Sequence, residues 1–303
     1  MHRFFPRNNL AKTCIVEKDC LPPSGQTARL PRSRLRRLTR ISAALRDLLF
    51  PAKCRACGIL FHPPETGMPG TGGGVSFENA MGPFLCPECR DGFLPTASPL
   101  CPVCGEVFTS RQGKDHLCGA CIESPRRFRK ARAVGVYEKG LLKAVHCLKY
   151  RGRIELAPPL GKLLFSEFHR HWPPGDIDLV IPVPLHSRRM RTRGFNQSIL
   201  LLRDWPKRVA SAGYGVNAIR IAPEFLKRSA STPSQTGLGR KQRMKNLRGA
   251  FTVPAPQRVK NRRVLLVDDV YTTGATSDAC TGALRKAGAA RVDVLTLART
   301  MGK

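Results

Sequence analysis

At 303 residues the chain is long enough for one large and one small domain, and 42% hydrophobic with 7% aromatic residues is a globular composition, not that of a chain disordered throughout. A net charge of +31 exceeds what a small anionic substrate needs and points to a polyanionic partner, nucleic acid first and acidic membrane second; a basic surface kept for solubility alone is the competing explanation. No apolar run reaches bilayer-spanning length and the first fifty residues lack the apolar core of a signal peptide, so a cytoplasmic protein is expected, in a reducing compartment where twelve cysteines favour metal over disulfides.

Residues 1–46 read as a flexible basic leader interrupted by Pro6, Pro22, Pro23 and Pro31, with a basic cluster from Arg32 to Arg37. From Leu38 the spacing of Leu38, Ile41, Leu45, Leu48 and Leu49 predicts a short amphipathic helix leading into the first cysteines.

Four Cys-x-x-Cys pairs follow: Cys54/Cys57, Cys86/Cys89, Cys101/Cys104 and Cys118/Cys121. Each pair can put two thiolates on one ion, and two pairs complete the tetrahedral sulfur shell of structural Zn²⁺. Gly58 and Gly105 follow the first and third pairs, where the tight turn of a metal knuckle needs them, so the simplest pairing is sequential. It gives one ribbon from Cys54, Cys57, Cys86 and Cys89 and a second from Cys101, Cys104, Cys118 and Cys121. A cross-braced pairing is the alternative that spacing leaves open, and His62 and His116 are spare ligands if a cysteine is not used. Thiol exchange is a weaker reading for so many pairs so close together. Residues 62–83, rich in glycine and proline, read as a floppy insertion; Cys147 and Cys280 read as packed thiols.

From about residue 127 the pattern alternates between strand and helix. Strands are expected over 132–137, 177–183 and 292–298, and helices over 140–148 and 156–170. After the second of these strands, Pro182 and Pro184 bar a regular ladder, and a basic turn runs through Arg188, Arg189 and Arg193 to Phe195, Asn196 and Gln197, with Asn196 as a ligand or an N-cap. Residues 225–267 hold eleven Lys or Arg and no acid; their centre mixes turn formers with basic residues and reads as a lid over a polyphosphate or as a nucleic-acid patch, with Arg240, Lys241, Arg243 and Lys245 the contacts.

The most informative stretch is 264–276. Val264, Leu265, Leu266 and Val267 read as a strand buried on both faces that stops at Asp268 and Asp269, and a turn through Thr272, Thr273, Gly274, Ala275 and Thr276 then enters a helix from Ser277. A turn of this kind aims backbone N–H groups and the positive end of a helix dipole at one point, which suits a phosphate dianion. It lacks the Gly-Lys-Ser/Thr ending of a Walker A loop. Adjacent carboxylates beside a phosphate cradle suit a sugar with vicinal hydroxyls, with Mg²⁺ to offset charge; replacing both by Asn is expected to relieve repulsion and leave the fold intact.

These residues resemble the phosphoribosyl pyrophosphate (PRPP) loop of type I phosphoribosyltransferases. That resemblance implies ribose contacts from Asp268 and Asp269, 5′-phosphate contacts from Thr272 to Thr276, and a pyrophosphate loop carrying Arg188, Arg189 and Arg193. Taken with the four cysteine pairs, residues 48–51 (Leu-Leu-Phe-Pro), 182–185 (Pro-Val-Pro-Leu), 193–197 (Arg-Gly-Phe-Asn-Gln), 235–238 (Gln-Thr-Gly-Leu) and 246–251 (Asn-Leu-Arg-Gly-Ala-Phe), the chain resembles the ComF family over about residues 47–300. The resemblance implies an α/β fold with a type I phosphoribosyltransferase-like parallel sheet and helices on both faces (residues 127–303), preceded by a small double zinc ribbon (47–126) and the leader (1–46). It further implies two structural Zn²⁺, Mg²⁺ with PRPP, and a role in DNA uptake and natural transformation beside a helicase and single-stranded DNA. Two functions are compatible with it: a phosphoribosyltransferase with an unnamed acceptor, or a non-catalytic single-strand-binding component that uses PRPP as a regulatory ligand.

Overall fold

The computed structural model describes residues 51–64, 75–110, 112–214, 219–229, 247 and 249–302. The leader, the helix expected over 38–49, and Arg240, Lys241, Arg243 and Lys245 lie outside them.

Five parallel strands form the central sheet: β3 (Ala131–Val136), β4 (Leu179–Pro182), β5 (Arg220–Ile221), β8 (Arg263–Tyr271) and β9 (Arg291–Arg299), in the order β3-β9-β8-β4-β5. The first strand pair of the chain, β1 (Ala52–Lys53) with β2 (Leu60–Phe61), and the pair β6 (Lys227–Arg228) with β7 (Phe251–Thr252) are separate antiparallel ladders. Along β8 the side chains alternate between two cores: Leu265 and Val267 pack with α4 (Lys139–Tyr150), α5 (Ala157–His171), α7 (Gln197–Leu201) and α8 (Trp205–Ser211), whereas Val264 and Leu266 pack with α9 (Ala275–Lys286). The sheet is therefore covered on both faces, as a continuous apolar strand requires.

Each cysteine cluster joins one of these cores. Cys54, Cys86 and Cys89 lie in the same core as Leu141, Val145 and Leu148 of α4, while Cys101, Cys104, Cys118 and Cys121 share the other with Tyr271, Ala275 and Leu284. The described residues, from Pro51 on, form one compact unit. Gly105 has φ +70°, and a Cβ there would stand 2.7 Å from the Ala131 carbonyl oxygen, so the second knuckle lies directly against β3.

Three expectations change. The strand expected to stop at Val267 continues through both carboxylates to Tyr271, because β9 goes on pairing with it (Asp268 with Thr296, Tyr271 with Arg299) after β4 has ended at Pro182 opposite Val267. The basic turn is a short helix, α6 (Ser187–Arg193), capped by His186 Nδ1 accepting from the Arg188 N–H (3.2 Å) and ended by Gly194 at φ +76°. The end of the glycine-rich insertion is helix α1 (Phe77–Met81): Ser76 caps it by accepting from the Asn79 N–H (3.1 Å), and Phe77 and Met81, one turn apart, are both buried.

Candidate active site and metal centres

β4 connects to β5 on one side and the chain then returns to β8 on the other, so the sheet's order reverses between β4 and β8. Ligands of open α/β sheets bind outside the carboxyl ends of strands at such a point. Asp268 and Asp269 stand there, at the last turns of β8 that β4 leaves unpaired.

Asp269 is buried and uses both oxygens. Oδ1 is 2.9 Å from Lys149 Nζ, and Oδ2 accepts from Gln197 Nε2 at 2.6 Å. The ammonium of Lys149, mostly buried itself, is kept charged by this carboxylate against the cost of burial. Asp268 uses Oδ1, which accepts from the Asp269 N–H (2.9 Å) and the Ser198 hydroxyl (3.3 Å). Burial, then the charge of Asp269, push its carboxyl up to about 7. The pair is thus unequal: one carboxylate is braced by the Lys149 ammonium and the Gln197 amide, and the other, among the described residues, has no ion pair of its own.

Gln197 Nε2 donates to a carboxylate, which fixes the amide's orientation and leaves Oε1 as a buried acceptor with no partner among the described residues. Asn196 turns out to be the N-cap of α7, its Oδ1 accepting from the Ser198 N–H (2.9 Å) while Nδ2 donates to the Val183 carbonyl (3.1 Å). This tie holds the chain leaving β4 against the head of α7.

The hydroxyl-rich turn is held from beneath. Gly274 has φ +80°, and a Cβ there would run into the Tyr271 ring (Cζ at 2.6 Å) and approach Arg126 (3.1 Å). Buried Arg126 donates to the Thr273 carbonyl (3.0 Å) and to Asp278 Oδ2 (3.2 Å), and the Asp278 N–H returns to the Gly274 carbonyl (2.8 Å). Helix α9 begins at Ala275, two residues earlier than its apolar pattern suggested, which puts its first N–H groups at the turn itself. Arg188 and Arg189 are exposed on α6, directly after β4, and Arg193 lies over the Tyr150 ring, 5.1 Å from its centre.

Sequential cysteine pairing is the observed one. The sulfur atoms of Cys54, Cys57, Cys86 and Cys89, and those of Cys101, Cys104, Cys118 and Cys121, form two sets, each within 4.8 Å. His62 and His116 belong to neither; His116 stacks on Phe108 at 3.9 Å. In the second set the hydrogen bond from Cys104 holds the Cys101 thiol down to about 4, while burial raises Cys118 to about 11. In the first, backbone N–H groups of Cys57, Cys86 and Ala56 outweigh burial and hold Cys54 at about 6, while burial raises Cys89 to about 11. Four such sulfurs cannot all shed protons without a cation among them, and a tetrahedral soft-ligand dication is what the donor sets fit.

Sequence reading missed Lys149, Ser198, Arg126 and the brace formed by Gln197. Lys149 did leave a signal, since it falls on the buried stripe of α4 with Leu141, Val145 and Leu148.

A doubly wound parallel sheet with paired carboxylates and a hydroxyl-rich turn at its point of reversal, carrying two four-cysteine sets, defines an α/β protein with a crevice site at the carboxyl ends of its strands and two candidate metal centres. The chain is 35% identical over 221 residues to the DNA utilization protein YhgH of Escherichia coli O6:H1, which spans 72% of this chain and 91% of that protein. It is 29% identical over 230 residues to Competence protein F of Haemophilus influenzae (71% and 97%) and 27% identical over 228 residues to Competence protein ComFC of Bacillus subtilis (71% and 84%). These relationships place it plainly: the chain belongs to the ComF family. No protein-family model matches it. Among solved structures there is a partial likeness to the allosteric regulatory enzyme of purine biosynthesis, at 22% identity over 45% of this chain and 24% of that one, with a TM-score of 0.27. Among the described residues no helix is long and apolar enough to cross a membrane.

Proposed function

We propose that the crevice between β4 and β8 binds PRPP with Mg²⁺ and that the protein transfers the phosphoribosyl group to an amine or base in the service of DNA uptake. The observation that carries this reading is the unequal carboxylate pair beside the turn at residues 272–276. Asp268, with one oxygen engaged and no ion pair among the described residues, suits a ribose hydroxyl or Mg²⁺. Asp269 positions Lys149 and Gln197, and Gln197 Oε1 is an acceptor ready for a hydroxyl or N–H donor. The 5′-phosphate would meet the Thr272, Thr273 and Thr276 hydroxyls and the first N–H groups of α9. Arg188, Arg189 and Arg193 would draw the pyrophosphate as it gains charge on leaving. The two four-cysteine sets would each hold a structural Zn²⁺.

A second reading has its own support in the +31 charge and in relatives named for DNA utilization and competence. In it the protein handles single-stranded DNA and PRPP only regulates. Isothermal titration with PRPP, with and without Mg²⁺ and with and without a single strand, tests both. Mg²⁺-dependent PRPP binding is expected; its absence would end the transferase reading, and PRPP binding that changes strand affinity without any turnover of PRPP would favour the regulatory one.

A further inference from the structure

Among the described residues one tyrosine, phenylalanine or tryptophan ring is left largely in solvent, that of Tyr150, 65% exposed at the end of α4. It is not bare. The Arg193 guanidinium lies over its face at 5.1 Å, and His146, one helical turn earlier, meets it edge-on at 5.1 Å between ring centres. Tyr137 continues the group, 6.2 Å from His146. His146 and Tyr150 share the solvent face of α4, opposite the stripe of Leu141, Val145 and Leu148.

The surroundings are cationic. Arg151 and Arg153 follow directly and are exposed, Arg188, Arg189 and Arg191 stand exposed on α6, and residues 179–203 contain no acid. The nearest acid in sequence, Glu155, is paired with Arg55 at 3.2 Å. The residue before Tyr150 is Lys149, whose ammonium reaches inward to Asp269. One peptide therefore separates a solvent-facing ring from the carboxylate crevice.

An exposed tyrosine under an arginine, edged by a second ring and ringed by cations, suits a flat heteroaromatic group joined to phosphates. Every base has a stackable face, and guanidinium planes stack on bases as aromatic rings do. We propose that Tyr150, with Arg193 and His146, is a stacking seat for a nucleobase of a single strand at the mouth of the crevice, with the arginines of α6 and Arg151 and Arg153 meeting the flanking phosphates. The proposal rests on the DNA reading above and names where the strand lies.

Tyr150→Trp makes the seat observable, because the two native tryptophans, Trp172 and Trp205, are fully buried. A twelve-residue oligothymidylate should quench the new fluorophore, and an abasic phosphodiester of equal length should not. Tyr150→Ala should weaken oligothymidylate binding by about 5- to 100-fold with an unchanged salt slope, since it removes a stack and no cation, whereas Arg193→Ala should also flatten the slope by about 0.7. Quenching by thymidine monophosphate but not by the oligomer would overturn the strand as occupant. If the wild-type protein binds the oligomer with salt dependence while the Tyr150 variants bind it equally and show no quenching, the seat falls and the DNA reading stands. If the wild-type protein binds no oligomer at moderate salt, both fall.

Discussion

Arg299 Nη1 donates to the Cys104 carbonyl oxygen at 2.7 Å and Nη2 approaches Cys104 Sγ at 3.3 Å, while the guanidinium lies over the Tyr271 ring, 4.6 Å from its centre. A third bond, to Glu106 Oε2 at 2.8 Å, completes the fork. Tyr271 in turn underlies Gly274, so one buried cation links the second cysteine set to the floor of the turn at residues 272–276. A point-charge ammonium cannot reproduce the fork or the stack. Arg299→Lys should therefore speed zinc release from the second set to a chromogenic chelator by about tenfold, leave the first set unchanged, and lower PRPP affinity. Unchanged release and affinity would mean that the cluster and the turn are merely neighbours.

The two carboxylates should respond oppositely to neutralisation. Asp268 has its carboxyl raised to about 7, so the folded chain holds a proton that the unfolded chain gives up near pH 4, and its contribution to stability falls as pH rises between those values. Asp268→Asn keeps an oxygen for Ser198 and the Asp269 N–H. It should stabilise the ligand-free protein at pH 7.5, by about 1–2 kcal/mol, with the gain vanishing toward pH 4. Asp269→Asn instead strands the mostly buried Lys149 ammonium and should cost about 3–5 kcal/mol. On this geometry the double replacement should relieve repulsion at Asp268 but lose stability through Asp269, whose carboxylate holds Lys149. Urea melts of the single variants across pH 4–8 decide this, and equal effects would refute the unequal pair.

How much of this could be read beforehand follows from range. The cysteine sets were legible because their ligands repeat at short spacing with glycines at the knuckles, and strand β8 because burial on both faces leaves an unbroken apolar run. Its continuation past Val267 was not, since two carboxylates look like an ending and only the ladder with β9 carries the strand on. The turn at residues 272–276 was legible as a motif, but what supports it was not. Arg126 meets Asp278 across 152 residues and Arg299 meets Cys104 across 195, and no local pattern records such pairs. Likewise α1 was hidden inside a glycine-rich stretch, although Ser76 and the Phe77–Met81 spacing were there to be seen.

Elemental analysis should find two zinc ions per chain. Cys57→Ser and Cys101→Ser should each remove one, because the sets are separate. Since each set lies in the core on one face of the sheet, chelation should raise hydrogen exchange in α4 after loss from the first set and in α9 after loss from the second, not only in the cysteine-bearing segments. One ion per chain would leave a set without its metal, and none would sink the zinc assignment.

The charge excess has its own test in salt. If it serves a single strand, binding should fall steeply as salt rises, with a log–log slope of about −0.7 for each phosphate neutralised. Arg240, Lys241, Arg243 and Lys245 lie in the acid-free stretch of the sequence, and replacing all four by Ala should flatten the slope by about 3 if each meets a phosphate. The loss should be the same for unrelated sequences, because phosphate contacts position a strand without reading it. The quadruple variant combined with Tyr150→Ala should then lose the slope of the first change and the stacking of the second independently, since one set of groups meets charge and the other a base face. If the four substitutions leave the slope untouched while those on α6 flatten it, the strand's path runs over α6 and the acid-free stretch has another task, with closure over the pyrophosphate of PRPP the next to test by titration of the same variant.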